Sequence, residues 1–297
     1  MCNLNEPVRF QPLPAPPPPV GPWLAWIGRF PVTAFFALSC LLLWVFLTPY
    51  ALAKHGWLPP VFQLMGFPGK FAPSLATIIV ASLVLGPEAT RAMLARIFDW
   101  RVRPRWWIGC LLGPPILLLV ALLADARLRG DFPTPDLAAS GLFLPLLVRY
   151  VLFGGGLGEE IGWRGFALPM LQRRHGALAA SVVIGLVWSG WHLPELALEP
   201  TIDKLLGFIP FTIALTAGSV IFKWVYNGTG GALSLVILLH GAVNAASAML
   251  DRVFEFQGDD FRAQMIFAGL VVAVAFGVVV RYGPRHLSRR TDGLTQV

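Results

Sequence analysis

This sequence predicts an all-α, polytopic transmembrane bundle, and its composition is the main reason. Hydrophobic residues make up 56% of the 297 residues, only 13% are charged, and the mean hydropathy is +0.67. Soluble domains carry about 25% charged residues, so a chain with about half that share and long apolar runs is typical of an integral membrane protein. We therefore expect a multi-pass protein of the cell's inner membrane.

Apolar stretches long enough to cross a bilayer recur along the chain. A helical span needs about 20 mostly apolar residues, and about eight stretches come close to that length. They cover approximately residues 32–53, 71–87, 106–124, 138–158, 177–195, 205–224, 232–250 and 265–282. Prolines and glycines inside some of them are compatible with spans, because neighbouring helices can satisfy the freed backbone groups.

The spans divide the chain into three parts. Residues 1–30 form a proline-rich N-terminal leader, residues 31–284 form the transmembrane bundle, and residues 285–297 form a cytoplasmic tail. The polyproline stretch at 12–22 cannot be the apolar core of a signal peptide. We expect that stretch to be extended and solvated.

Basic residues are unevenly distributed between the two ends of the predicted bundle. With both termini in the cytoplasm, the cytoplasmic segments hold 15 Lys and Arg residues and the outside loops hold 7. An excess of positive charge on the cytoplasmic side is the general rule, so the bias supports eight spans with cytoplasmic termini. The net charge of +7 does not indicate a nucleic-acid partner, because the basic residues flank apolar segments of a chain whose partner is the lipid bilayer.

Three short segments place polar side chains inside or beside predicted spans. They are residues 159–164, 188–192 and 240–244, with the sequences EEIGWR, WSGWH and HGAVN. Ionisable groups at membrane depth are costly, and by default they face the interior of the bundle. Two glutamates, two histidines and one asparagine from three helices would form a site able to activate a water molecule.

The first segment contains two adjacent glutamates with different expected partners. Glu160 and Arg164 are four residues apart and can pair on one helix face. Glu159 points about 100° away, which leaves its carboxylate available as a general base. The alternative is an ordinary interfacial salt bridge. Four glycines among residues 154–158 indicate close packing around the pair, with a flexible break as the alternative.

The second and third segments add imidazole and carboxamide groups. His192 lies near the end of the fifth span, one turn after Trp188, and alone it would fit a polar group at the interface. His240 and Asn244 share one face of the seventh span, and alone they would fit a hydrogen bond between helices. Three inward polar faces in one small bundle are more simply explained as a single site.

Several common catalytic motifs are missing from the sequence. It contains no HExxH, GxSxG, GxGxxG or GxxxxGK[ST] segment, and its three cysteines form no CxxC pair. A standard zincin site and a nucleophile elbow are therefore excluded.

In this order, EExxxR, aromatic-xxxH and HxxxN resemble the CAAX protease and bacteriocin-processing family of intramembrane endopeptidases. The resemblance covers a core at about residues 145–250, and residues 226–233 are similar to that family's approach to its third motif. Trp188 stands where the family usually has Phe. The resemblance implies an endopeptidase that cleaves a membrane-anchored or prenylated protein or peptide near the cytoplasmic face.

The resemblance also implies roles for individual residues. Glu159 is the general base, assisted by His192, while His240 and Asn244 stabilise the oxyanion. Glu160, Arg164 and Trp188 are supporting residues, with Arg164 holding Glu160.

The motifs are compatible with more than one cofactor requirement and more than one class of substrate. Glu159, His192 and His240 could hold Zn²⁺ with an open position, but a water and an oxyanion hole need no metal, and we favour the metal-free alternative. Processing of CAAX proteins and a role in bacteriocin processing or self-immunity are both compatible with the motifs. A proton-coupled transporter and a non-catalytic peptide-binding immunity protein are the alternative functions.

Overall fold

We describe the protein from a computed structural model, which covers residues 21–254 and 261–289. Every regular element in these residues is helical, so the all-α prediction is confirmed. Residues 1–20 of the predicted leader and residues 290–297 of the predicted tail lie outside the described residues.

The helices follow one another with short connections. They are α1 Pro22–Arg29, α2 Pro31–Lys54, α3 Gly66–Gly69, α4 Ala72–Val84, α5 Pro87–Ala95, α6 Pro104–Arg129, α7 Phe143–Phe153, α8 Gly155–Glu160, α9 Leu168–His192, α10 Ile202–Gly228, α11 Leu233–Val253 and α12 Phe261–Tyr282. Four 3₁₀ segments lie at Pro60–Met65, Arg96–Phe98, Leu137–Leu142 and Leu193–Leu198. A π-helical segment, Ile161–Ala167, joins α8 to α9.

The multi-pass character of the chain is confirmed. Within the described residues, six helical stretches are long and apolar enough to cross a membrane, or seven if the bent pair Pro60–Gly69 and Ala72–Val84 forms one span. The fourth and fifth predicted spans both fall inside one of these stretches, the 62-residue Leu137–Leu198. Many large apolar side chains on the outer surface are exposed, which suits a surface covered by lipid.

Helix α11 lies at the centre of the bundle. About two thirds of its most apolar window, 67%, is buried, whereas the corresponding share in the other candidate spans is 28% or less. Three alanines on this helix, Ala242, Ala245 and Ala246, are completely buried, and small residues of this kind let neighbouring helices approach closely. A polar side chain on α11 is therefore enclosed by protein.

Two glycines interrupt the helical path around the three polar segments. Gly154 is extended, with φ −120° and ψ −151°, and it separates α7 from α8. Gly176 has φ 76° and ψ 171°, a conformation that favours glycine, and it divides α9 into two helical parts. The sequence predicted neither the π-helical segment nor the break at Gly176.

Candidate active site

Glu159 and Glu160 lie at the point where α8 passes into the π-helical segment. Both side chains are buried, with 5% and 0% of their surface exposed. Short π-helical segments within α-helices are frequently found at functional sites. Here the segment starts directly after the two carboxylates and contains Trp163 and Arg164.

Glu160 is held in a buried ion pair with Arg164, as the spacing predicted. Nη1 of Arg164 lies 2.7 and 3.0 Å from the two carboxylate oxygens of Glu160. The guanidinium group lies between two aromatic rings, 4.4 Å from the centroid of Trp188 and 4.3 Å from that of Phe222. Its Nη2 donates a hydrogen bond to Ser219 Oγ at 3.3 Å. These contacts compensate the charge of Glu160 and fix its position.

Glu159 points away from this ion pair and accepts hydrogen bonds from two indoles. Its Oε2 atom lies 2.6 Å from Nε1 of Trp188 and 3.4 Å from Nε1 of Trp163. An indole N–H can only donate, so both indoles act as donors to the carboxylate. The other oxygen, Oε1, faces the position of Gly155.

His240 connects the two glutamates. Its Nδ1 atom lies 2.7 Å from Oε1 of Glu160, and an ionised carboxylate can only accept, so Nδ1 carries a proton. The ring packs against Trp188 and Phe222, with centroid distances of 5.4 and 6.1 Å. We call Glu159, Glu160, Arg164, Trp188 and His240 the carboxylate cluster.

Gly155 leaves the space in which the second ring nitrogen of His240 approaches Glu159. A Cβ atom on residue 155 would lie 2.1 Å from Nε2 of His240 and 2.7 Å from Oε1 of Glu159. These two atoms are therefore no farther apart than the sum of those distances. A Cβ on Gly158 would lie 2.2 Å from the Lys70 carbonyl oxygen. The predicted close packing of the glycine run is confirmed, and the glutamates are buried.

His192 and Asn244 lie one helical turn beyond the carboxylate cluster. His192 follows Trp188 by four residues on α9, and Asn244 follows His240 by four on α11, a rise of about 6 Å in each case. Both line a cavity of about 640 Å³, which we call the larger cavity. The structure thus brings Glu159 close to His240, and it places His192 and Asn244 together on the cavity wall.

The immediate partner of His192 is a residue that the sequence analysis did not consider. Its Nδ1 atom lies 3.3 Å from Oε2 of Glu195, three residues further along the chain. Its ring packs edge-on against Phe211 at a centroid distance of 5.3 Å. Glu159 makes its hydrogen bonds to the two indoles, and no hydrogen bond joins it to His192 within the described residues.

Three further site residues, Trp163, Glu195 and Phe222, and the contact of Gly155 with His240 were not predicted by the sequence analysis. The i, i+4 spacing of Trp163 from Glu159 and the i, i+3 spacing of Glu195 from His192 were visible signals. Phe222 had no such signal, because only the packing of α10 brings it to the site. Gly155 belongs to the glycine run whose close packing was predicted, but its contact with His240 depends on how α8 packs against α11.

The larger cavity opens at the end of the bundle opposite the one rich in arginine. Its walls include Lys54 at the end of α2, Lys204 at the start of α10 and Asp251 near the end of α11. The charge bias assigns this end to the outside. If the termini are cytoplasmic, the larger cavity opens to the outside. This placement conflicts with the expectation that cleavage occurs near the cytoplasmic face.

Charged side chains at the rim of this cavity are paired with one another. Glu199 lies between the ammonium groups of Lys204 and Lys54 and forms ion pairs with both. These hydrogen bonds and charges lower the pKa of Glu199 to about 2, so it stays ionised at all physiological pH values.

The candidate zinc ligands do not form a common site in this arrangement. Among residues 21–254 and 261–289, no three His, Cys, Asp or Glu side chains are grouped closely enough to hold a metal ion. Nδ1 of His240 is bonded to Glu160 and Oε2 of Glu159 to the indoles, which leaves one free atom on each, and His192 lies one turn away beside Glu195. These donors do not fit a shared Zn²⁺ ion, and no step of the proposal below uses one.

Comparisons with known proteins agree with the three motifs. A family model described as Type II CAAX prenyl endopeptidase Rce1-like matches residues 140–246. The chain is also 24% identical over 206 residues to a protein of Methanococcus maripaludis named CAAX prenyl protease 2. That alignment covers 64% of this chain and 73% of the relative.

The fold is an all-α membrane bundle with a buried carboxylate–histidine cluster one turn from a cavity. Residues 140–246 are thus similar to the CAAX prenyl endopeptidase family, as the three motifs indicated. The family match and the relative together support an intramembrane endopeptidase. All three motifs lie within the matched residues.

Proposed function

We propose that this protein hydrolyses a peptide bond in a membrane-associated protein or peptide, with Glu159 as general base. The observation that carries the proposal is the position of Glu159 Oε1 beside Nε2 of His240, one turn below a cavity large enough for a peptide segment. A general base must lie within hydrogen-bond reach of the water that it deprotonates, and this position is enclosed by protein.

The attacking water lies between Glu159 Oε1 and His240 Nε2 in this proposal. Since Nδ1 of His240 is committed to Glu160, its Nε2 atom is free to accept a hydrogen bond from the water. Trp188 and Trp163 hold Oε2 of Glu159, which leaves Oε1 to take the proton. The resemblance pairs the water with His192, whereas the position of Nε2 favours His240.

The developing oxyanion is stabilised from the wall of the larger cavity. The Asn244 carboxamide donates through its NH₂ group in every protonation state. Asn244 forms no hydrogen bond with another residue in the described part of the chain, so this group is available to a substrate. His192 shares the same wall and, when protonated beside Glu195, donates through Nε2. Glu159 then delivers its proton to the leaving amine.

The substrate enters through the larger cavity. One end of the cavity reaches the rim formed by Lys54, Glu199 and Lys204. Its inner wall carries the groups proposed to act on the substrate carbonyl. A peptide held near the membrane surface in an extended form fits this path. Prenylated C-terminal peptides are the first substrates to test, because the relative is named a CAAX prenyl protease.

Cleavage of defined peptides by the purified protein tests the proposal. We expect membrane-anchored or prenylated peptides to give two products by mass spectrometry, and we expect the products to form at the same rate in a strong chelator. Capture of the peptide without any product would contradict the proposal in favour of a peptide-binding protein. Glu159-dependent solute uptake into proteoliposomes, with no peptide product, would instead indicate a transporter.

A further inference from the structure

A second cavity, of about 530 Å³, lies at the end of the bundle opposite the larger cavity. Its ionisable lining residues are Arg173, Arg174, His175, Arg285 and His286, all of them basic. No described Asp or Glu side chain lines it. We call it the basic cavity.

The walls of the basic cavity are fixed by backbone hydrogen bonds. The break at Gly176 turns the chain so that the backbone N–H groups of Ala177 and Leu178 donate to the Arg285 and Pro284 carbonyl oxygens, both at 2.9 Å. The segment that follows α12 is thereby joined to the middle of α9. Two separate parts of the chain hold the arginines in one place.

Contacts with α10 and with the core also anchor the segment that follows α12. Nδ2 of Asn227 donates to the His286 carbonyl oxygen at 2.6 Å, and the side chain of Leu287 is completely buried. The arginine-bearing segment after α12 is therefore part of the folded bundle, and its backbone is fixed where Arg285 and His286 extend from it.

The positive charges of the basic cavity are not compensated within the described residues. Arg173, Arg174 and Arg285 form no ion pair with another described residue. The Nδ1 atom of His286 is buried and has no hydrogen-bond partner in this part of the chain. Three guanidinium groups that line one cavity with no carboxylate beside them attract a negatively charged group, and the buried nitrogen adds an unpaired polar atom.

We propose that the basic cavity binds a phosphate group, carried either by the headgroup of an anionic lipid or by a small soluble phosphate. Guanidinium groups bind phosphate oxygens through two parallel hydrogen bonds, and three of them line the site. The cavity lies beside the end of α12 at Tyr282, where a membrane span ends. Basic recesses between spans at this level suit anionic headgroups, and the volume is large enough for one.

Lipid retention measured by native mass spectrometry tests this proposal. The full-length protein in detergent is titrated with phosphatidylglycerol, cardiolipin and phosphatidylcholine. We expect the variant with Arg174→Gln and Arg285→Gln to retain the two anionic lipids at least tenfold less than the wild type. Both arginines are exposed, so the substitutions should leave the fold intact, which thermal unfolding checks.

The matched control removes the same charge at the same end of the bundle. Arg101 and Arg103 are exposed and lie near Asp99, whose carbonyl oxygen accepts a hydrogen bond from Ser234 at the start of α11. Neither lines the basic cavity. The variant with Arg101→Gln and Arg103→Gln should retain lipid like the wild type. An equal loss in both double variants would overturn the proposal, because bulk charge would then explain it.

The source of the phosphate is decided by a second titration. Inorganic phosphate and pyrophosphate are added to the wild type and to the Arg174→Gln, Arg285→Gln variant, and the unfolding temperature is followed. A rise in the wild type alone supports a soluble phosphate, while anionic lipid retention without such a rise supports a headgroup. If neither ligand distinguishes the wild type from the variant, the proposal is wrong.

Discussion

Nδ1 of His240 lies 2.7 Å from Oε1 of Glu160, although the two residues are 80 positions apart in the chain. The same carboxylate is paired with Arg164, so it remains an acceptor and fixes the orientation of the imidazole ring. The opposite ring nitrogen is thereby directed at the space beside Glu159. This single contact links the EExxxR and HxxxN motifs and sets the geometry of the proposed site.

Loss of the Glu160 charge should destabilise the protein strongly. Glu160→Gln leaves the Arg164 guanidinium buried without its counter-charge, and breaking a buried pair in this way costs about 3–5 kcal/mol. We expect a large fall in the thermal unfolding temperature in detergent. Glu88→Gln, which changes an exposed glutamate near the start of α5, should leave it unchanged.

The combined change of both partners separates stability from activity. Glu160→Gln together with Arg164→Met removes both charges, so the unfolding temperature should recover much of its loss. Peptide cleavage should stay low, because His240 has lost the carboxylate that orients it. Recovery of both stability and activity would contradict the positioning role of Glu160.

A methyl group at position 155 should disturb the site with little other effect on the bundle. The Cβ of Gly155→Ala would overlap Nε2 of His240 at 2.1 Å, so the ring or α8 must move. A displacement of about 1 Å at a catalytic group can reduce the rate about 100-fold. The rate of peptide cleavage measures this loss.

Gly109→Ala is the matched control for that substitution. Gly109 lies in α6, and a Cβ there meets no atom within 4 Å. This variant should cleave peptides at the wild-type rate. Equal activity of the two variants would show that the space beside Gly155 is not needed.

Loss of the Asn244 carboxamide should lower kcat more than loss of another polar group on the wall of the larger cavity. Removing one oxyanion donor costs about 10²–10³ in kcat, and Asn244→Ala should fall in that range with a smaller change in KM. Ser247 lines the same cavity three residues further along α11 and is exposed. Ser247→Ala should keep kcat within a few-fold of the wild type, and an equal loss in both variants would argue against the donor role.

The side of the membrane that carries the larger cavity can be determined by labelling. The charge bias predicts that His55, an exposed residue just after α2, lies outside, and that Arg103 lies in the cytoplasm. In a cysteine-free background, an impermeant maleimide should label His55→Cys in intact cells and Arg103→Cys only after lysis. The reverse pattern would place the cavity at the cytoplasmic face and overturn the predicted orientation.

The sequence predicted the elements of this site better than their arrangement. Helical spacing was sufficient for the Glu160–Arg164 pair and for the shared face of His240 and Asn244, because these relationships are local. The contact between His240 and Glu160 depends on how α8 packs against α11, and no spacing along the chain reports that. The π-helical segment was not predicted either, because it changes the helical phase without a proline that would mark the change in the sequence.

The surroundings of His192 depend on tertiary packing that its place in the chain does not report. His192 was expected beside Glu159, but the partner that it contacts is Glu195, three residues away. The fifth span was predicted to begin at residue 177, and Gly176, with a φ of 76°, divides α9 directly before that position. For His192, tertiary packing selected between local alternatives that the sequence left open.

The initial rate of peptide cleavage by Glu159→Gln, measured beside Glu88→Gln, tests the central claim most directly. The amide keeps the size of the side chain but cannot accept a proton from water, so the rate should fall about 10²–10⁴-fold. The unfolding temperature should stay close to that of the wild type. Cleavage by Glu159→Gln at the rate of Glu88→Gln would contradict Glu159 as the general base.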